Sequence, residues 1–169
     1  HKIKEVDSKY FDKTLGPKKV EADLGEDEIK LYSAVNSMRI EASNIAVGKY
    51  KAKQFADGAD YFHKSAALNL LMNGKKDTAS YYNACICAIK SKDPKKVMFY
   101  NSEMINNNIA TAYNYQAIYE SNITAADTAA ALDILKKGRE AFPNDLYLMN
   151  KETEMYIQSG KQDLAVVNL

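Results

Sequence analysis

The sequence predicts an all-α fold, and three observations lead to that prediction. Apolar residues recur at the 3.6-residue spacing of an amphipathic helix in one segment after another. The breaks between these segments are short, and they are polar or contain Gly or Pro. No segment shows the two-residue alternation of Val, Ile and Thr that is typical of a strand. The 169 residues, 46% hydrophobic and 27% charged, have the composition of an ordinary globular domain.

An irregular or weakly helical leader is expected over 1–25, where charges are mixed and periodicity is weak. Glu26-Asp27-Glu28 then suit a helix N-terminus, because the helix dipole favours negative charge there. An apolar stripe follows at Ile29, Tyr32, Val35 and Met38. It predicts a helix from about residue 27, which either breaks near Ser43-Asn44 or continues to Lys53.

Further helical segments follow at short intervals along the rest of the chain. Apolar periodicity predicts them at 43–53, 55–72, 78–91, 94–106, 110–121, 127–142, 146–159 and 161–169. Asp93-Pro94 matches an N-cap with Pro at the first helical position. Asn73-Gly74 and Gly160 match helix stops. The expected organisation is one helical domain over 26–169.

The helical segments repeat. Small or apolar residues fall into one column, with separations of 39, 34 and 34 residues, at Gly58, Val97, Ala131 and Ala165. Seven residues later a second column holds Ser65, Met104 and Gly138. Aromatic residues lie between the columns in the first two units (Tyr61, Phe62 and Tyr100), Ile134 and Leu135 take their place in the third, and Pro143 closes that unit. Such self-similarity at a fixed period is the sequence signature of a repeat architecture.

These features resemble the tetratricopeptide repeat (TPR) family, most closely over 115–165 and in outline over 40–169. The resemblance implies a right-handed superhelix of antiparallel helical hairpins. Its repeats would span 40–72, 78–106, 110–143 and 146–169, with the last incomplete. Departures include the absence of Trp, Asn101 at an aromatic column and Met104 at a small one, which predicts distorted packing in the second repeat.

Gly138 is unfavourable within a helix, where Gly costs about 1 kcal/mol relative to Ala. Its place in the small column predicts that the first helix of the next repeat crosses there closely. The alternative is a surface Gly near a frayed helix end. Tyr119 and Tyr156 are expected to pack between repeats.

No local signature of catalysis is present: the chain lacks GxSxG, HExxH, GxxxxGK[ST] and GxGxxG patterns. His63 is expected to be a surface or packing residue. Glu152 and Glu154 lie two apart on one helix and so on different faces. Cys85 and Cys87 have the same spacing, which disfavours a disulfide and predicts two small buried thiols. We therefore expect no enzyme, cofactor or metal site.

Asn122-Ile123-Thr124 matches the N-glycosylation pattern and falls in an expected loop. A net charge of +1 gives no general attraction to nucleic acid, and no run approaches the roughly 18 apolar residues of a membrane span. The compartment stays open: cytoplasmic, or secreted or periplasmic if a signal peptide has been removed.

The TPR resemblance implies a concave groove, lined by the first helix of each repeat, that binds a peptide or protein partner. Its expected residues are Val47, Tyr50, Tyr82, Ile86, Ile89, Tyr113, Glu120, Asn150 and Glu154. The alternatives are a self-associating module of a larger assembly and a small-molecule-binding repeat protein. The last segment covers only half of a second helix, so we expect either that the native chain continues past Leu169 or that a homo-oligomer forms through this end.

Overall fold

A computed structural model describes residues 25–167. Within this range the chain forms eight α-helices and no strand, which confirms the all-α prediction. The helices are α1 (Glu26–Lys51), α2 (Phe55–Asn73), α3 (Thr78–Ser91), α4 (Pro94–Asn106), α5 (Ala112–Thr124), α6 (Thr128–Ala141), α7 (Leu146–Gln158) and α8 (Gln162–Val167). The leader predicted over 1–25 lies outside the described residues, except for Gly25.

The first helix is continuous, so α1 does not break near Ser43-Asn44. At its start the Glu28 carboxylate accepts a hydrogen bond of 2.9 Å from the Gly25 backbone N–H. Aspartates cap four later helices by accepting from backbone N–H groups in the first turn: Asp77, Asp93, Asp127 and Asp145. The predicted Asp93-Pro94 cap is confirmed. These caps satisfy donors that have no partner inside the helix.

Several loops turn on a residue with left-handed backbone conformation. Gly74 (φ +58°) and Gly160 (φ +72°) are two of these, which confirms both predicted helix stops. Lys53, Lys92, Asn108 and Ala126 adopt the same conformation although they carry a side chain. A left-handed residue after the last turn lets the following N–H groups reach carbonyls that the helix leaves unpaired. One such bond joins the Asp127 N–H to the Asn122 carbonyl at 2.9 Å.

The described residues divide into two compact units, with the boundary between Ser91 and Lys92. In the first unit, α2 packs against both α1 and α3. Small residues dominate its core, including Ala42, Ala46, Ala59, Ala66, Ala84 and Ala88. Small side chains let the helix backbones approach closely, so the helices pack without large hydrophobic residues at every contact. The prediction of a single domain over 26–169 stays a prediction.

In the second unit, consecutive helices from α4 to α8 pack on one another, and α5 also contacts α7. Its core contains Tyr115, Tyr119, Ala131, Leu135 and Leu148. A Cβ atom added at Gly138 would lie 3.0 Å from Tyr115 Cβ on α5 and 3.0 Å from Leu148 Cδ1 on α7. The predicted close crossing by α7 is confirmed, and α5 approaches the same position equally closely.

Two departures in the second predicted repeat are accommodated by a buried amide pair. Asn101 and Met104 are buried in α4, which remains a regular helix. The Asn101 side chain donates to the Val97 carbonyl and accepts from the Asn114 amide at 2.9 Å. Buried amides are stable only when such partners exist. Hydrogen bonding between α4 and α5 thus replaces the aromatic contact that the repeat pattern predicts.

The prediction that Asn122 lies in a loop is wrong. α5 continues to Thr124, three residues beyond the predicted segment, and Asn122 is only 8% exposed within its last turn. The helix ends at the turn in which Ala126 has a left-handed backbone conformation. The residue type of Ala126 alone does not predict that conformation. Tyr119 and Tyr156, which are expected to pack between repeats, are both buried.

Candidate functional site

In the first unit, α1 exposes large hydrophobic residues on one side. Val47 and Tyr50, both predicted groove residues, are each 40% exposed. Ile40 is 45% exposed and lies seven residues before Val47, which is two helical turns and therefore the same face. The sequence analysis missed Ile40 because it left open whether this helix is continuous, and the spacing has meaning only within one helix.

A matching row lies on α3. Tyr82 is 42% exposed, and Ile86 and Ile89 follow at i+4 and i+7, both half-buried. Lys90 joins the two helices at one end, because its Nζ lies 5.9 Å from the Tyr50 ring centroid. We call the six residues Ile40, Val47, Tyr50, Tyr82, Ile86 and Ile89 the aromatic face.

The aromatic face combines rigid, partly exposed side chains with a cationic rim. Tyr50 is held by an edge-on contact with Phe55, with ring centroids 5.5 Å apart, and Lys90 lies 5.7 Å from the Phe55 centroid. Tyrosine supplies a large contact area at small entropic cost and keeps a hydroxyl for hydrogen bonding. Such a surface suits contact with an apolar side chain of another molecule.

In the second unit, the predicted residues lie on α5 and α7. Tyr113 and Glu120 are exposed on α5 seven residues apart, and Asn150 and Glu154 are exposed on α7 four residues apart. Both spacings place each pair on one helix face. Contacts between the helices bring Glu120 and Glu154 into a common cluster.

That cluster is completed by residues that the sequence analysis did not select. Tyr147 Oη donates a hydrogen bond to the Glu120 carboxylate, and the Tyr147 and Tyr119 rings meet edge-on at 6.4 Å. Lys151 Nζ lies 2.7 Å from Glu154 Oε2 and 5.8 Å from the Tyr147 ring centroid. We call Tyr119, Glu120, Tyr147, Lys151 and Glu154 the tyrosine–carboxylate cluster. Its sequence signal is the i, i+4, i+7 spacing of Tyr147, Lys151 and Glu154.

Both tyrosines of the cluster stay protonated under physiological conditions. Burial, reinforced by the hydrogen bond to Glu120 and the nearby negative charges, raises the pKa of Tyr147 well above its usual range. Burial also raises the pKa of Tyr119, although the charge of Lys151 opposes this shift. The two phenols therefore act as hydrogen-bond donors and neutral aromatic surfaces.

The residues considered for chemistry have structural surroundings. His63 packs edge-on against Tyr81 at 5.7 Å. Cys85 and Cys87 are buried thiols that form no disulfide, as predicted, and burial raises the pKa of Cys85 to about 12 and that of Cys87 to about 11. A protonated thiol is a poor nucleophile and a poor metal ligand. Residues 25–167 contain no group of three or more His, Cys, Asp or Glu side chains that could hold a metal ion.

Glu152 and Glu154 occupy different environments, as predicted. Glu154 is exposed, whereas Glu152 is buried beside Arg139, with 3.5 Å between Arg139 Nε and Glu152 Oε2. The Glu152 carboxylate also accepts from Tyr156 Oη at 3.1 Å, and Arg139 donates to the Pro143 carbonyl. This group ties α6 to α7 and leaves Glu154 as the carboxylate that faces solvent.

A shallow cavity of about 510 Å³ lies between α4 and the end of α5. Its lining is mainly apolar and includes Pro94, Met98, Phe99, Asn122 and Ala125. Pockets that bind small molecules have volumes of roughly 300–1,000 Å³. None of the predicted groove residues lines this cavity, so it does not bear on the small-molecule alternative, which relies on the groove tyrosines.

No protein-family model matches the chain, and no curated protein matches its sequence. Over residues 25–167, every helix is too short or too polar to cross a lipid bilayer.

Proposed function

We propose that this chain is a TPR-like helical-repeat scaffold without enzymatic activity, which binds a peptide or protein partner on the first helices of its hairpins. The proposed architecture is a right-handed superhelix of antiparallel hairpins. The observation that carries the binding function is the aromatic face, where large side chains remain partly exposed. The burial of the repeat columns and the positions of the turns support the architecture.

The repeat register receives support from burial. All four residues of the first small column are buried: Gly58, Val97, Ala131 and Ala165. The second column, at Ser65, Met104 and Gly138, is buried as well. A column that faces the neighbouring helix in one repeat should do so in each, because every repeat buries its core against the next.

The turns give independent support. Left-handed residues follow the proposed first helix of each hairpin at Lys53, Lys92, Ala126 and Gly160. Their separations are 39, 34 and 34 residues, the same as those of the buried column. Side-chain burial and backbone conformation thus recur at the same three intervals, although three of these four turn residues are not glycine.

The binding role follows from the chemistry of the aromatic face. Tyr50, Tyr82 and Val47 each leave about two-fifths of their surface in water, whereas the alanine-rich core beneath them is closed. Exposed aromatic and aliphatic groups on regular helices provide anchor positions for a partner's apolar side chains. The face carries no pair of groups suited to acid–base chemistry, so binding is the use that it supports best.

The test is selection from a random peptide-display library, followed by fluorescence anisotropy with the enriched peptides. We expect the double variant Tyr50→Ala, Tyr82→Ala to lose about tenfold or more in affinity, because buried tyrosines dominate interface energies. The matched control is Met38→Ala, Phe99→Ala, which removes two somewhat more exposed hydrophobic residues outside the aromatic face and should change affinity about twofold or less. If the control variant lost affinity and the double tyrosine variant did not, the binding site would lie elsewhere. Failure to enrich any peptide would reject the proposal.

Self-association is the second candidate, and it rests on α8. Leu164 and Val166 are 47% and 69% exposed on this short helix, although Ala165 between them is buried. A second copy could cover these residues. A mass in solution that rises with concentration, and that returns to the monomer in Leu164→Ser, Val166→Ser, would favour this alternative.

A further inference from the structure

We propose that the tyrosine–carboxylate cluster binds a lysine or arginine side chain of the partner peptide, and that Lys151 occupies this place when no partner is bound. This inference rests on the proposed function and adds the charge of the partner at one position. It concerns the second unit alone, since all five residues lie on α5 and α7.

The first argument is the position of the Lys151 ammonium. It lies 2.7 Å from a Glu154 carboxylate oxygen and 5.8 Å from the centroid of the Tyr147 ring. A cation within about 6 Å of an aromatic face is attracted by the ring quadrupole, and a carboxylate adds a charge-assisted hydrogen bond. The cluster therefore already holds an ammonium group, which shows the chemistry that it accepts.

The second argument is that the cluster has more acceptors than one lysine uses. Glu120 accepts from Tyr147 through one oxygen, and a carboxylate has about four acceptor positions over its two oxygens. Glu120 and Glu154 together carry two negative charges against the single positive charge of Lys151. The net negative charge therefore attracts an incoming cation, and an arginine in the place of Lys151 brings five donors where lysine brings three.

The third argument is that the internal occupant is easily displaced. The Lys151–Glu154 pair lies three residues apart on one helix, and the side chains are 30% and 52% exposed, respectively. Exposed pairs of this kind contribute little, because water screens them and two flexible side chains must be ordered. The Tyr147–Glu120 bond, in contrast, joins two helices and holds the ring and one carboxylate in place when Lys151 leaves.

The test uses peptides enriched by the display selection and sequence-matched copies in which each Lys or Arg is replaced by Gln. We expect Lys151→Met to strengthen binding of the basic peptides about fivefold and to leave the Gln copies unchanged. In the Lys151→Met background, Glu120→Gln and Glu154→Gln should each weaken the basic peptides about tenfold. The gain should shrink at high salt, because salt screens exposed charges.

The matched control is Lys136→Met. Lys136 Nζ also lies over a tyrosine ring, 6.0 Å from the Tyr156 centroid on α7, but outside the cluster. This variant removes the same charge from the same unit and should leave all affinities unchanged. Equal gains for Lys136→Met and Lys151→Met would mean that net charge alone is responsible, and this would overturn the inference.

A second measurement separates this inference from the proposed function. Nα-acetyl-arginine amide is titrated into the Lys151→Met protein while the NMR signals of the Tyr147 ring are followed. Peptides that bind regardless of charge, with no response of Tyr147 to the arginine probe, would overturn the inference and leave the proposed function standing. A response of Tyr147 without any peptide binding would support the cation site and reject the peptide-binding function.

Discussion

Gly138 offers a direct test of how closely the helices of the second unit pack. Replacement by Ala adds one methyl group to the middle of α6. In an isolated helix this change is favourable by about 1 kcal/mol, because Ala loses less backbone entropy than Gly. In this protein the added Cβ would lie 3.0 Å from Tyr115 Cβ, 3.1 Å from Tyr115 Cγ and 3.0 Å from Leu148 Cδ1. The two effects therefore have opposite signs.

The packing cost should exceed the propensity gain. The optimal separation of non-bonded carbon atoms is about 3.5–4.0 Å, so each neighbour must move by roughly 0.5 Å. Leu148 Cδ1 can move by rotation of its side chain, whereas Tyr115 Cβ is bonded directly to the α5 backbone. Relief at Tyr115 thus requires α5 and α6 to separate. Overpacking of this kind costs about 1–3 kcal/mol, so we expect a net loss of about 1 kcal/mol in the free energy of unfolding.

The assay is urea unfolding followed by circular dichroism, with Gly48→Ala as the matched control. Gly48 lies in the last turn of α1, and a Cβ added there meets no atom within 4 Å. Gly48→Ala should therefore show the propensity gain alone, about 0.5–1 kcal/mol. Thermal melting gives a second readout, since about 1 kcal/mol shifts the Tm of a unit of this size by roughly 4–8 °C.

If Gly138→Ala stabilised the protein by as much as Gly48→Ala, the reasoning would be refuted, because the methyl group would then have found open space. Gly58→Ala makes the comparison a series. Its Cβ would meet Cys87 Sγ at 3.4 Å and two backbone atoms at 3.6 and 3.7 Å, which is close to ordinary contact. Its effect should fall between the other two.

Three further predictions concern a turn, an ion pair and two thiols. Ala126→Gly should raise the free energy of unfolding by about 0.5–1 kcal/mol in urea, because Ala126 has φ +58° and Gly removes the strain of its Cβ; a loss would show that its methyl group contributes packing. Glu152→Gln should lower the free energy of unfolding by about 3 kcal/mol, because it leaves the Arg139 charge without its buried partner, and an effect below about 1 kcal/mol would contradict this. Cys85 and Cys87 have raised pKa values in the folded state, so their contribution to stability is complete below about pH 9 and is lost as the pH rises towards 11–12. The slope should reach about 1.4 kcal/mol per pH unit for each thiol, and Cys85→Ala, Cys87→Ala should remove it; an unchanged slope would assign the alkaline loss to other groups.

The helices could be predicted from the sequence because amphipathicity is a local property. α3 and α4 begin and end at the predicted residues, since polar caps and breaks bound each apolar stripe. The end of α5 could not be predicted in the same way. It depends on Ala126 adopting a left-handed conformation that its residue type disfavours.

The candidate site likewise contains residues that could be predicted from the sequence and residues that could not. The TPR resemblance implied groove positions such as Val47, Tyr50 and Tyr82, and these side chains are partly exposed. It did not select Tyr147 or Lys151, although their spacing with Glu154 lies in the sequence. Nothing within α7 shows that Tyr147 meets Glu120, since that contact depends on the distance between two helices.

The sequence by itself therefore determined the all-α character of this protein, the bounds of most helices, the buried small columns and the exposed faces. These features depend on interactions within a few turns of the chain. Only the tertiary structure decided which faces meet: the approach of Tyr115 and Leu148 to Gly138, the Asn101–Asn114 pair and the assembly of the tyrosine–carboxylate cluster. Each of these contacts joins residues on different helices, and its geometry is set by the packing of the whole unit.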